Sequence, residues 1–348
     1  MRQGYVLRVI SERRIWDDFL EQHDGHLLQS WGWGELKAEA GWRPLRLALC
    51  ECSSGRIVAA AQVLCRGAAR LPHWCGHLAY IPRGPVLDWS HEECCKAFWM
   101  ALHRWLRPRG ALALRLEPPL LADTAEGEAA ARFLLASGFR PVRTIQPLRT
   151  IMVDLRADET TLLSRMKEKW RYNLRLAARR GVKVREAQTL EDVRAWYELL
   201  KITAARDGFG IHRYEYYEHA WLILAPRNQL DLLLAEYEGR LLAGIFVGRM
   251  GREALYLYGA SSNELRQLMP NYLLQWEAMC RARAAGAIRY DLWGIPETED
   301  EHEPLAGVYR FKRGWGGEVV RFIGGYEYIY RPLSMTLARR LLSERLAL

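Results

Sequence analysis

The sequence predicts an α/β protein built of two similar units in tandem. Three observations lead there. A chain of 348 residues suits two domains of about 100–200 residues each. Its composition, 50% hydrophobic and 26% charged, is that of a folded globular protein. One order of elements, a hairpin followed by a strand, a helix and a strand, is written twice along the chain.

The first copy opens with a strand over 45–50, a turn at Ser53-Ser54-Gly55-Arg56 and a returning strand over 57–64. An extended segment over 77–81 runs into Pro82-Arg83-Gly84-Pro85. A helix over 92–106 carries Phe98, Leu102 and Trp105 at helical spacing, and Gly110 stops it. A strand over 111–116 ends at Pro118-Pro119. The second copy has strands over 230–236 and 241–247 around the turn Glu238-Gly239-Arg240, then a third strand over 254–258. A helix over 270–285 begins with Pro270 in its first turn and is capped by Gly286, and the strand over 288–292 closes the unit. The crossover between the copies falls at 140–150, and helices over 159–180 and 190–206 lead into the second sheet. This is the core order of the acetyltransferase-like fold, so the fold class is α/β (α+β) with two tandem acetyltransferase-like (GNAT-type) domains. No sustained heptad region supports a coiled-coil arm. The tail, 334–348, reads as a short basic amphipathic helix.

Composition excludes a disordered chain and a disulfide-stapled mini-protein. No apolar run reaches the roughly 18 residues of a membrane span, and the start turns polar at Ser11-Glu12-Arg13-Arg14, so neither an anchor nor a signal peptide is expected. Seven cysteines without even spacing read as reduced thiols of a cytoplasmic protein. The net charge of +9 favours anionic partners such as nucleic acid, phosphorylated metabolites or an acidic membrane surface. Only seven of the 50 basic residues are lysine, so a lysine here marks a place that needs a compact ammonium rather than a planar fork.

Several chemistries are missing. The turns that correspond to a coenzyme pyrophosphate cradle, 83–88 and 263–270, lack its glycine pattern, which disfavours coenzyme A. There is no phosphate loop and no nucleophile elbow. Gly32-Trp33-Gly34 has Lys37 where a dinucleotide motif needs its third glycine. His73, Cys75 and His77 alternate on one strand face, but spacing nominates no fourth ligand, so neither a metal nor a cofactor is expected.

The densest feature is the segment 165–185, with nine basic residues and one acid. Met166, Trp170, Leu174 and Ala177 form its apolar helical face, and the other faces are cationic. It reads either as a solvated helix or as a surface for an RNA backbone, an acidic lipid or a nucleotide. Phe311-Lys312-Arg313-Gly314-Trp315-Gly316-Gly317 follows a loop rich in acids (Glu297, Glu299, Asp300, Glu301, Glu303). Lys312 is placed either in an ordinary turn or where its ammonium meets a developing oxyanion, the glycines letting a substrate approach the backbone.

Taken in order, these segments resemble the Fem family of peptidoglycan-bridge aminoacyltransferases. The resemblance is carried by Gln29-Ser30 with Trp33 and Lys37, by 81–86, by 169–175 with Ala178 and Gly181-Val182, and by 206–209 with Arg213 and Tyr216-Tyr217. Tyr258-Gly259-Ala260-Ser261, 270–274, Tyr290-Asp291-Leu292-Trp293-Gly294-Ile295 and 311–317 complete it, so that it spans roughly 29–330. It implies that the tail returns to the first domain, giving 1–147 with 318–348 and 148–317. It implies an armless enzyme that moves an aminoacyl group from a charged tRNA to the stem-peptide amine of a UDP-linked or lipid-linked muropeptide. The protein is then expected to be a cytoplasmic monomer with peripheral contact to the inner membrane face.

By that resemblance Lys312, ordered by Phe311, is the catalytic candidate. Lys37 and Arg213 meet the acceptor pyrophosphate beside Tyr217, and Trp33, Arg83 and Tyr258 complete the substrate set. Lys169, Arg175 and Arg179 are the tRNA-binding candidates. No general base is visible, which leaves a substrate phosphate or the tRNA hydroxyl. The rival readings are a coenzyme A-dependent N-acyltransferase of the same fold and a non-catalytic RNA- or membrane-binding module.

Overall fold

The computed structural model describes residues 4–67, 76–298, 300 and 306–336. His73 and Cys75, the acids Glu299, Glu301 and Glu303, and the tail beyond 336 lie outside them. The chain divides into two compact units, Met1–Leu148 with Arg321–Leu348, and Arg149–Val320.

The strands in chain order are β1 (Tyr5–Val9), β2 (Arg43–Glu51), β3 (Ile57–Gly67), β4 (His77–Pro82), β5 (Val86–Leu87), β6 (Ala111–Glu117) and β7 (Arg140–Val142). Then come β8 (Arg149–Asp154), β9 (Lys183–Glu186), β10 (Leu230–Tyr237), β11 (Arg240–Met250), β12 (Glu253–Ser261), β13 (Arg289–Asp291), β14 (Glu318–Arg321) and β15 (Gly325–Ile329). The first sheet runs β1-β2-β3-β4-β6-β15-β7, with β5 on β3, and the second runs β9-β10-β11-β12-β13-β8-β14. Each contains one parallel pair, β4 with β6 and β12 with β13. The crossover helices are Glu92–Leu106 and Pro270–Ala284. The repeated order expected from sequence is therefore present, and the tandem acetyltransferase-like fold holds.

Local chemistry explains most boundaries. His91 accepts from Cys94 N at the start of helix 92–106, and Glu92 and Glu93 occupy its first turn. Glu238 and Gly239 both have positive φ, the two-residue turn that suits a twisted hairpin. The sixth place in each sheet is less obvious. β8 follows β7 in sequence yet pairs in the second sheet, and β15 follows β14 yet pairs in the first. The second unit ends at Val320, and Gly317 lies so close to Met152 that a Cβ there would sit 2.7 Å from its carbonyl oxygen. β14 then continues as the outer strand of that sheet.

In the second unit the core gathers Ile151, Val153, Ile245, Leu274, Tyr290 and Trp315. The apolar face foreseen at Met166, Trp170, Leu174 and Ala177 is buried in it. The single helix expected over 159–180 is instead two, Glu159–Arg165 and Glu168–Arg179. Met166 is extended, and Lys167 N donates to Gly314 O at 3.0 Å, so a tertiary hydrogen bond replaces a helical one.

Candidate functional site

In the second unit β12 and β13 pair only over Glu253–Leu255 with Arg289–Asp291. β12 runs on, whereas the other chain turns toward β8: Leu292 N donates to Ile151 O (2.9 Å) and Ile295 N to Arg149 O (3.1 Å). The parallel pair therefore parts after Asp291, and Lys312 reaches into the opening. Lys312 ends the helix Ala306–Lys312, not a strand-to-strand turn. Its Nζ donates to Gly294 O at 2.8 Å and Trp293 O at 3.2 Å and lies 5.5 Å from the Tyr256 ring centroid. The residue is 5% exposed. Burial pulls its pKa down to about 7, opposed by the negative charge of Asp291. An ammonium with two of its three N–H groups fixed by carbonyls is oriented and poorly hydrated, so it interacts strongly with any charge that develops beside it.

Phe311 acts through packing. Its ring meets Tyr272 and Trp315 edge-on at 5.5 and 5.6 Å, and its carbonyl accepts from Trp170 Nε1 at 3.0 Å. Gly314 permits this arrangement, since a Cβ there would overlap the Trp170 indole.

In the first unit the segment from Gln29 to Lys37 builds a second cationic position. Ser30 caps the helix Trp31–Glu39 by accepting from Trp33 N. Gln29 ties that helix to two strands, donating to Pro82 O (2.6 Å) and accepting from Gln62 N (2.7 Å). A Cβ on Gly84 would sit 2.7 Å from the Gln29 side chain, so glycine is needed at this approach. The helix presents the Lys37 ammonium 5.0 Å from the buried Trp33 ring. Burial, and then the nearby Arg66 charge, lower the Lys37 pKa to about 8.

The sequence matches the FemAB family over residues 12–132, 137–238 and 227–342. The chain belongs to the FemAB family. A lipid II:glycine glycyltransferase of Staphylococcus aureus is 28% identical over 388 aligned positions that cover 90% of each chain. That alignment is longer than this chain, so the relative carries inserted residues that are absent here. A crystal structure of FemX is 26% identical with a TM-score of 0.88, covering 96% of this chain and 99% of that one. A tandem GNAT protein from the clavulanic acid biosynthesis pathway shares the fold at 14% identity and a TM-score of 0.53.

The remaining residues singled out in this FemAB chain divide by environment. Arg213 is exposed and precedes the helix Tyr214–Leu224. Tyr217, on that helix, is buried; its hydroxyl accepts from His212 N at 3.3 Å and its ring packs on Trp196 and Tyr258. The Tyr258 hydroxyl is hydrogen-bonded to that of Tyr216 at 3.2 Å, and burial raises the pKa of both phenols. Lys37 and Arg213 lie in different units. Lys169, Arg175 and Arg179 are exposed on the helix Glu168–Arg179, opposite its buried stripe. Not all of the basic run is outward. Arg171 caps carbonyls of the preceding helix, Arg180 donates to Gln267 O, and Arg185 is paired with Asp192 and Glu236.

Arg83, expected as a substrate ligand, is turned inward. It is buried with φ +46°, donates to Pro147 O at 2.7 Å and stacks on the Phe322 ring at 3.9 Å. The sequence pattern assigns Asp291 no role, yet it is a fully buried acid at the end of β13.

Proposed function

We propose that this protein transfers an aminoacyl group from a charged tRNA to the stem-peptide amine of a pyrophosphate-linked muropeptide. The coarse part, aminoacyl transfer in peptidoglycan bridge formation, follows from FemAB membership and from the glycyltransferase relative. The observation that carries the finer part is the Lys312 ammonium, buried and held by two carbonyls where the parallel strands part.

The donor is an activated ester. The neutral acceptor amine attacks its carbonyl carbon, a C–N bond forms, and negative charge collects on the carbonyl oxygen. Lys312 stabilises that oxyanion. The C–O bond to the tRNA ribose then breaks, and the amine proton passes to the departing hydroxyl. A preorganised donor of this kind is worth about 10²–10³ in the chemical step. Phe311 orders Lys312 through the aromatic cluster. Lys37 and Arg213 each supply charge for the acceptor pyrophosphate, and Lys169, Arg175 and Arg179 meet the tRNA backbone. A UDP-linked and a lipid-linked precursor both present that pyrophosphate. A lipid-linked acceptor is met at the inner face by peripheral contact, and no helix among the described residues is long and apolar enough to cross a membrane.

The test incubates purified protein with mixed charged tRNAs and, in separate arms, UDP-linked and lipid-linked muropeptide, and weighs the products. The expected product gains one amino-acid residue on the stem amine in at least one arm and forms only with charged tRNA. Product from acyl-coenzyme A but not from charged tRNA would overturn the reading.

A further inference from the structure

The two carbonyls that hold Lys312 belong to a backbone turn that a tryptophan rarely adopts. Trp293 has φ +62°, a left-handed conformation in which its Cβ is crowded. Hydrogen bonds to the N–H and to the carbonyl of this residue keep it there. Asp291 Oδ1 accepts from Trp293 N at 2.7 Å. The buried Thr150 hydroxyl, on β8, donates to the same Asp291 oxygen and shares its proton with Trp293 O at 3.0 Å. Leu292 N and Ile295 N anchor the turn to β8 on either side, and Arg149 Nη1 donates to Pro296 O at 2.9 Å. Asp291 is thus linked to the ammonium through residue Trp293, by its N–H on one side and its carbonyl on the other.

We propose that Asp291 and Thr150 are positioning residues for the transfer reaction, holding the Trp293 peptide so that its carbonyl and that of Gly294 trap the Lys312 ammonium. The proposal rests on the reading above, in which Lys312 acts in transfer. Other groups around the ammonium do not replace this pair. From β12 it meets the neutral face of Tyr256, and the β13 phenol Tyr290 is taken by Gln275 at 2.7 Å. On its own element the next residue, Arg313, is exposed and lies 5.9 Å from the Tyr309 ring. Asp291 is the negative charge that favours the protonated form.

The experiment compares Thr150→Val, Thr150→Ser and Asp291→Asn with the wild-type chain by two readouts. Competitive labelling of the Lys312 amine across pH, read on the peptide by mass, gives its titration without any activity. Single-turnover transfer across pH gives the chemical step. Asp291→Asn is expected to lower the labelling midpoint by about one pH unit. Thr150→Val and Asp291→Asn are each expected to slow transfer by roughly ten- to a hundredfold at saturating substrate, with KM little changed and with Thr150→Ser restoring the rate. Thr150→Val nearly keeps the side-chain volume, so it stays informative if Asp291→Asn does not fold. Wild-type transfer and an unshifted Lys312 titration in both variants would overturn the proposal, while a slow Lys312→Met control would leave the reading of Lys312 standing. A Lys312→Met control that transfers at the wild-type rate would remove that reading instead, and the proposal with it.

Discussion

Replacing Lys312 by methionine should change how stability depends on pH. In the unfolded chain a lysine keeps its ordinary pKa of 10.5, whereas in the folded protein burial brings it to about 7. The folded-state value is depressed for a cationic group, so between pH 7 and 10.5 the unfolded chain binds a proton that the folded chain has released. Stability from this group therefore rises with pH through that window, and the penalty of burying the charge is fully present below about 7. At about 1.4 kcal/mol per pH unit the penalty is on the order of 3–5 kcal/mol. Methionine removes it but leaves the carbonyls of Trp293 and Gly294 without the ammonium, at about 1–3 kcal/mol each, so the absolute difference at one pH is a balance. The slope is not. Denaturant unfolding followed by tryptophan fluorescence from pH 6 to 10 should show the wild-type chain gaining several kcal/mol on the variant as pH rises. Parallel curves would mean that Lys312 titrates normally, and the reasoning from its burial would fail.

Other outcomes follow from the same geometry. Reversing Lys169, Arg175 and Arg179 to Glu should weaken charged-tRNA binding and lower its logarithmic salt slope by about 2–3, measured by filter binding; unchanged binding would make the helix structural. Alanine at Lys37 or Arg213 should raise acceptor KM by the equivalent of about 1.5–3 kcal/mol each, with the fold intact by circular dichroism. Gly314→Ala should cost about 1–3 kcal/mol through its overlap with Trp170, seen in denaturant midpoints, and should slow transfer by displacing the residues on either side.

The elements that sequence reveals best are those whose ends are set locally. The helix Glu92–Leu106 has its cap and its apolar spacing within the segment itself, Gly110 closes the short turn that follows it, and the 237–240 hairpin is written by Glu238-Gly239. The break at Met166-Lys167 is invisible because its cause, the carbonyl of Gly314, is almost 150 residues away. The places of β8 and β15 depend on which sheet each strand pairs with, and no local pattern encodes that. The site divides in the same way. Lys312 is conspicuous as a rare lysine beside glycines. Arg83 stands in an equally suggestive motif and is turned inward, since a motif fixes which residue is present but not the direction of its side chain. Asp291 holds the Trp293 N–H, a relation that needs the backbone angle to be seen.

The role of Lys312 in the chemical step is tested most directly by single-turnover transfer with Lys312→Met, under saturating charged tRNA and muropeptide, beside equilibrium binding of each substrate. A preorganised ammonium at the oxyanion predicts a rate lower by about 10²–10³ with both affinities near wild type. Lys312→Arg should also be slow, because a planar fork does not fit between the carbonyls of Trp293 and Gly294 as a point charge does. Transfer by the methionine variant at the wild-type rate would contradict the assignment.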